Sequence, residues 1–257
     1  MATDTDPTTS LDPWPTLDDG RWPILRTCDA DMQGHGGFQW PTSGHVEAPD
    51  WDPNPDRECG GGLHGLLWGC GNASLLAAAH GTRWLIVAVD PADVANPAQP
   101  GKVRYRRGEV LLVTTDRAEA IAWLYDHGGR RLPVSWGTST SGDWGTSTSG
   151  DRGTSTSGDW GTSTSGSGGT STSGDRGTST SGYRGTSTSG DRGTSTSGYD
   201  GTSTSGDGGI VVCRWWDATA KRYRLTVGYP GEDGIEAGVA YRANEVGELV
   251  RADGVQS

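Results

Sequence analysis

Between Gly137 and Gly208 the chain carries no aliphatic side chain, no proline and no cysteine. Those 72 residues are therefore excluded from any hydrophobic core. The whole chain of 257 residues has one phenylalanine and two methionines. No run approaches the roughly 20 apolar residues of a membrane span. The opening, MATDTDPTTSLDPWP, lacks the basic and apolar regions of a secretory leader. No segment is basic: net charge is −7 over residues 1–136, −3 over 137–208 and −1 over 209–257. That balance argues against nucleic acid as a partner. The cysteines, Cys28, Cys59, Cys70 and Cys213, include no CxxC pair. The expectation is a cytoplasmic protein with free thiols and no membrane contact.

What fills 137–208 is the octad Gly-Thr-Ser-Thr-Ser-Gly-x-x, nine times without a slip. A flexible Gly/Ser/Thr linker needs this composition but not this register. Thr favours strands, and Thr-Ser-Thr-Ser puts Thr on one face and Ser on the other. The variable pairs, DW, DR, DW, SG, DR, YR, DR, YD and DG, repeat best at sixteen residues. Trp144 and Trp160 lie sixteen apart, as do Tyr183 and Tyr199. The reading is a two-sided β-solenoid with two octads per coil, each coil advancing about 4.8 Å. Ser is the smaller residue and is expected inside, its hydroxyls bonded in ladders; Thr is expected outside. GIVVC at 209–213 keeps the octad phase but turns apolar, as a cap strand would.

The expected fold is thus mainly β: a disordered tail (1–20), a small N-terminal α+β domain (21–134), the octapeptide solenoid (137–208) and a C-terminal β meander as cap (209–257). In the N-terminal domain RWLIVAVD (83–90) is a strand, and KVRYRR (102–107) with EVLLVTT (109–115) reads as a hairpin about Gly108. DRAEAIAWLYDHGG reads as a helix capped by Asp116, with Glu119 at capping-box spacing. Trp40, Trp51, Trp68 and Trp84 are expected in the core. LRTCDAD, GGFQWP, ECGGGLHGLLWG and KVRYRRGEV, with GIVVCRWWD and GELVRA after the repeats, resemble an uncharacterised bacterial and phage domain family. That resemblance covers about residues 24–128 and 137–252 and implies architecture, not chemistry.

Functional candidates are few. Cys59 and His64, with Arg26, are the side chains a small enzyme would use. The alternatives are a Cys/His nucleophile and an ADP-ribosyltransferase-like site with Arg26 and Gly36–Phe38. Cys28, Cys59, His64 and Cys70 have the chemistry for zinc but no standard knuckle spacing. Buried thiols under a glycine-rich turn are the expected outcome, with no metal and no cofactor. The leading expectation is a non-enzymatic structural or interaction protein, the solenoid serving as a rigid spacer or display surface toward an unknown protein or surface partner. Solenoid edges offer a route to self-association. The alternative is ice or glycan binding through the Thr faces, beginning with Thr138, Thr140, Thr146, Thr148, Thr154 and Thr156, whose hydroxyls repeat about 7 Å along and about 4.8 Å across the strands.

Overall fold

The computed structural model describes residues 14–57, 60–77, 79–95 and 102–252. The chain forms β1 (Trp22–Cys28), β2 (Gly44–Glu47), β3 (Leu63–Leu67), β4 (Arg83–Val89), β5 (Val103–Tyr105) and β6 (Arg107–Thr114). Helix α1 (Arg117–Asp126) follows. The six strands make one antiparallel sheet in the order β2-β6-β4-β1-β3-β5. β4 is almost wholly apolar because both its faces are covered, with α1 packed on β4 and β6. Ile24, Leu25, Leu66, Leu85, Ile86 and Val87 form the dry centre, and Trp40, Trp68 and Trp84 are buried around it. Trp51 packs against that core half-buried.

Three local expectations are corrected. Residues 102–107 and 109–115 do not pair with each other: β5 lies at one end of the sheet, beside β3, while β6 lies between β2 and β4. Only Arg106 separates them, and one residue spans about 3.8 Å, so the sheet curls until its two ends nearly meet. Arg106 turns that corner, donating to Asp93 O (2.9 Å) and accepting from Ala48 N–H (2.8 Å). The polar tail was expected to run to residue 20, and residues 1–13 lie outside those described. Residues 14–20 instead pack on the domain: Leu17 is buried and Pro15 O accepts the Trp68 indole N–H at 2.7 Å. The helix cap is also built differently. Asp116 accepts from Ala118 N–H at 2.8 Å, but Glu119 does not reach the Asp116 amide. Thr114 stands between, accepting that amide at 2.9 Å and donating to the Glu119 carboxylate.

The octads form nine short strands: β7 (Thr138–Thr140), β8 (Thr146–Thr148), β9 (Thr154–Thr156), β10 (Thr162–Ser165), β11 (Thr170–Thr172), β12 (Thr178–Ser181), β13 (Thr186–Thr188), β14 (Thr194–Ser197) and β15 (Thr202–Thr204). Odd and even strands stack as two parallel sheets, Thr on Thr and Ser on Ser, sixteen residues apart. This is a β-solenoid of about five turns. The interior serines from Ser147 onward are buried, and the threonines face outward. The serine hydroxyls bond to one another less than expected. Ser187 donates to Ser179 (2.9 Å) and Ser189 pairs with Ser205 (3.1 Å). In the earlier coils, Ser147, Ser155, Ser163 and others have no hydrogen-bond partner among the described residues. There serine serves chiefly by being small.

The remaining strands are β16 (Ile210–Asp217), β17 (Arg222–Gly228), β18 (Tyr241–Ala243) and β19 (Leu249–Arg251). β16 continues the even sheet in phase, Thr194 beside Ile210 and Ser195 beside Val211, and β17 folds back on it. β18 and β19 extend the odd sheet from β15. Val211, Cys213, Ile235 and Tyr241 close the end with a small apolar core. At the other end Ser135 N–H bonds Gly69 O (2.9 Å), and Gly150 N–H bonds Val134 O (3.1 Å), tying the first coil to the N-terminal sheet.

The sixth octad position shows what the stacking demands. A Cβ on Gly174 would lie 2.7 Å from the Asp159 amide of the preceding coil, whereas one on Gly142, in the first coil, meets nothing within 4 Å. Gly174→Ala is expected to cost about 1–3 kcal/mol, and Gly142→Ala to be near neutral. Comparing their thermal unfolding midpoints checks this.

Candidate functional site

Strand alternation sends one side chain in two outward, so each Thr-Ser-Thr presents two threonines per coil. On the odd sheet five strands place Thr138/Thr140, Thr154/Thr156, Thr170/Thr172, Thr186/Thr188 and Thr202/Thr204 in two in-register files. The even sheet does the same from Thr146/Thr148 to Thr194/Thr196, then changes to Ile210 and Val212. Thr138, Thr140, Thr146, Thr148 and Thr154 are exposed and Thr156 is half-buried. Each threonine offers a hydroxyl, donor and acceptor at once, beside a methyl group. The two-by-five grid of the odd sheet has no charged side chain within its files.

Charge and aromatic bulk are moved to the corners. Each Gly-x-x-Gly turn closes with a bond such as Gly145 N–H to Gly142 O (3.1 Å). Its second residue takes left-handed φ: 60° at Trp144, 56° at Arg152, 54° at Arg176. That conformation disfavours residues with a Cβ. It is held by bonds to the next coil, Trp144 N–H to Asp159 O at 2.8 Å and its successors. On one corner Asp143, Asp159, Asp175 and Asp191 each accept the amide of the Asp one coil on, at 2.9–3.0 Å. Trp144 stacks on Trp160 there, centroids 4.9 Å apart and planes 3° apart. Tyr183 stacks on Tyr199 on the opposite corner at 6.1 Å, and the file continues edge-on to Tyr223 and Trp216. The aspartate file and the two cap aromatics were not anticipated. The invariant seventh-position Asp of the odd octads was the signal for the first; nothing local marked the second.

Among the described residues the Cys/His candidates do not gather into one site. Cys59 lies outside the described residues. Burial raises the Cys28 thiol above its ordinary value and pushes Cys70 up to about 12, so both are protonated and poor nucleophiles. His64 is held down at about 4, by burial first and then by Lys102, Arg104 and Arg26. Among the described residues no three His, Cys, Asp or Glu side chains gather as metal ligands, and no helix is long and apolar enough to cross a membrane.

No family model matches the chain, and no solved structure matches it. Curated relatives do. An ice nucleation protein of Pseudomonas syringae pv. syringae is 38% identical over 117 residues, covering 46% of this chain and 9% of its own length. The ice nucleation protein InaU of Pantoea ananas is 38% identical over 104 residues, 40% of this chain and 10% of its own. One from Xanthomonas campestris pv. translucens is 36% identical over 100 residues, 39% of this chain and 6% of its own. The chain thus spans a tenth or less of the length of these relatives. They correct three expectations. The resemblance to an uncharacterised family gives way to relatives with a named function. The spacer or display reading does not stand beside relatives named for ice nucleation, which favour the ice-binding alternative. The cytoplasmic location, expected from the cysteine usage and the polar opening residues, does not stand beside relatives named for ice nucleation.

Two measurements follow from this geometry. A double-mutant cycle on Trp144→Ala and Trp160→Ala is expected to give a coupling of about 0.5–1.5 kcal/mol in thermal unfolding. For His64 the folded pKa, about 4, lies below the ordinary value of 6.5, so protonation favours the unfolded chain. The stability of the neutral ring is complete above 6.5 and is lost as pH falls toward 4. An NMR titration of the ring, with unfolding measured across that window, checks both midpoint and sign.

Proposed function

We propose that the outward threonine files bind ice, by holding a first layer of water in an ice-like arrangement. The observation that carries the proposal is the unbroken register of paired threonines across five strands of the odd sheet. Water over this grid meets only neutral hydroxyls and methyls at a fixed two-dimensional spacing of about 7 by about 4.8 Å. Hydroxyls anchor waters by direct hydrogen bonds. Methyls between them occupy space that would otherwise hold freely turning water. A lone exposed strand cannot do this, because its hydroxyls repeat in one dimension only. The even face supports the same reading over four strands, ending where Ile210 and Val212 replace Thr. The ice nucleation proteins among the relatives support it independently.

The area of the grid sets the form of the activity. A grid of ten threonines is expected to adsorb to an existing ice plane more readily than to seed ice in warm supercooled water. Binding should therefore appear first as thermal hysteresis and incorporation into a growing ice hemisphere.

Replacing Thr170 and Thr172 together by Lys puts two strongly hydrated ammonium groups mid-grid. Ice affinity is expected to fall about tenfold or more, the equivalent of about 1.4 kcal/mol, with circular dichroism and unfolding midpoint little changed. Thr178→Lys with Thr180→Lys tests the even face. If both pairs leave ice affinity intact in folded protein, the threonine faces are not the ice-binding surface.

A further inference from the structure

The N-terminal sheet contains a feature that the threonine files do not use. β1 and β3 pair at two positions only, Ile24 with Leu67 and Leu25 with Leu66. Beyond them the paired ladder stops, although β1 stays in register with β4 as far as Cys28. Arg26 stands at this fork in the ladder. Its guanidinium donates to His64 O at 3.3 Å and Thr27 O at 3.2 Å, joining the two strands where their own pairing ends. It lies over Trp40, 3.7 Å from the ring centre. Its Nε is buried and has no partner among the described residues. The buried Tyr105 hydroxyl likewise has none.

Two cavities open from this fork. One, of about 390 Å³, is lined by Arg26, Thr27, His64, Leu66 and Lys102. The other, of about 510 Å³, is lined by Arg26, Gly36, Gly37, Phe38, Pro49 and Asp50. Arg26, His35, Gly60 and His64 border both, so the two are lobes of one cleft. Each lobe is in the size range of small-molecule sites, roughly 300–1,000 Å³. The first lobe is cationic, in a chain whose net charge is −11. Burial first, and then the charges of Lys102, Arg104 and Arg26, keep His64 neutral, leaving an imidazole able to donate one hydrogen bond without competing as a cation. The second lobe is walled by glycines and by Phe38, and its one carboxylate, Asp50, accepts the Gly62 amide at 3.1 Å.

We propose that this fork binds a phosphorylated ring compound of nucleotide size, its phosphates on Arg26 and Lys102 and its ring in the glycine-walled lobe beside Phe38. A guanidinium with a fixed plane and a lysine point charge converge on one lobe, a pairing suited to phosphate oxygens approached from two directions. The adjoining lobe has Gly36 and Gly37 in its wall, with no side chain to obstruct a ring, and Phe38 beside them, which suits a planar ring. The site is independent of the ice-binding reading, for it lies in the N-terminal domain and involves no threonine of the repeats.

The test is calorimetric titration of the intact protein with ADP, with inorganic pyrophosphate and adenosine as separate probes. ADP is expected to bind one to one, more tightly than either fragment. Arg26→Gln is expected to weaken ADP about tenfold or more. Because Arg26 also bridges two strands, His35→Ala supplies a second variant, at an exposed residue on the rim; it should weaken ADP a few-fold with unchanged unfolding. Amide shifts on adding ADP should map to Arg26, His64 and Gly36–Phe38. No binding of ADP at about 1 mM, shifts confined to the repeats, or equal affinity in folded Arg26→Gln protein would overturn the proposal. Pyrophosphate binding as tightly as ADP would overturn the assignment of the ring lobe.

Discussion

The thinness of the space between the two solenoid sheets governs everything built on it. Two octads per coil leave room inside for little more than a hydroxymethyl group from each side. Serine fits, and so does glycine at each end of the strand. Larger apolar side chains enter only in the last coil, where Val211 and Cys213 meet the cap residues Ile235 and Tyr241. With so little apolar area to bury, cohesion falls to the backbone ladders that join each coil to the next. Those ladders run in perfect register because Thr must lie on Thr and Ser on Ser. The aspartate that accepts the next coil's amide extends the same ladder around the corner. The in-register threonine files are a by-product of this constraint. A sheet whose inner face must be uniformly small, in a strict period of two, has an outer face that is uniform as well.

The solenoid was more legible than the domain that precedes it, for a physical reason. A repeat states its own register nine times, and sixteen-residue coincidences such as Trp144 with Trp160 reveal which strands are neighbours. Inward serine and the in-phase apolar strand at 210–213 then follow from volume and periodicity. The N-terminal sheet has no repetition. Its strands were found where apolar runs are long, as at 83–89. Their pairing was not, because β5 and β6 are one residue apart and still have β4, β1 and β3 between them in the order of the sheet. Arg106, which makes that corner, carries no sequence mark of a turn; the neighbouring Gly108 misled by carrying one.

The same contrast applies to function. The threonine files could be read from the octad, down to the residues concerned. The fork at Arg26 could be read only in part. His64 was read with Cys59 as a nucleophile or metal partner, and Arg26 with Gly36–Phe38 as an ADP-ribosyltransferase-like site; the cleft that Arg26 shares with His64 and Lys102 was not read. The structure gives Arg26 and His64 a shared cleft at the end of the β1–β3 pairing, while the buried Cys28 and Cys70 thiols remain protonated. Spacing along a chain does not report where two adjacent strands cease to pair.

The arrangement of nine octads carries a parity. Odd octads build one sheet and even octads the other, and β16 fills the tenth place to complete the fifth coil. Each sheet therefore receives a particular end: β16 and β17 on the even side, β18 and β19 on the odd side. Loss or gain of two octads leaves both ends seated as before and changes only the length of the grid. Loss or gain of one would carry β16 to the opposite sheet, turn the cap half a revolution against the N-terminal domain and part Tyr223 from the file it now extends. Variation in array length is thus quantised in whole coils: the grid can lengthen by two threonines per face at a time, and the molecule has no intermediate size.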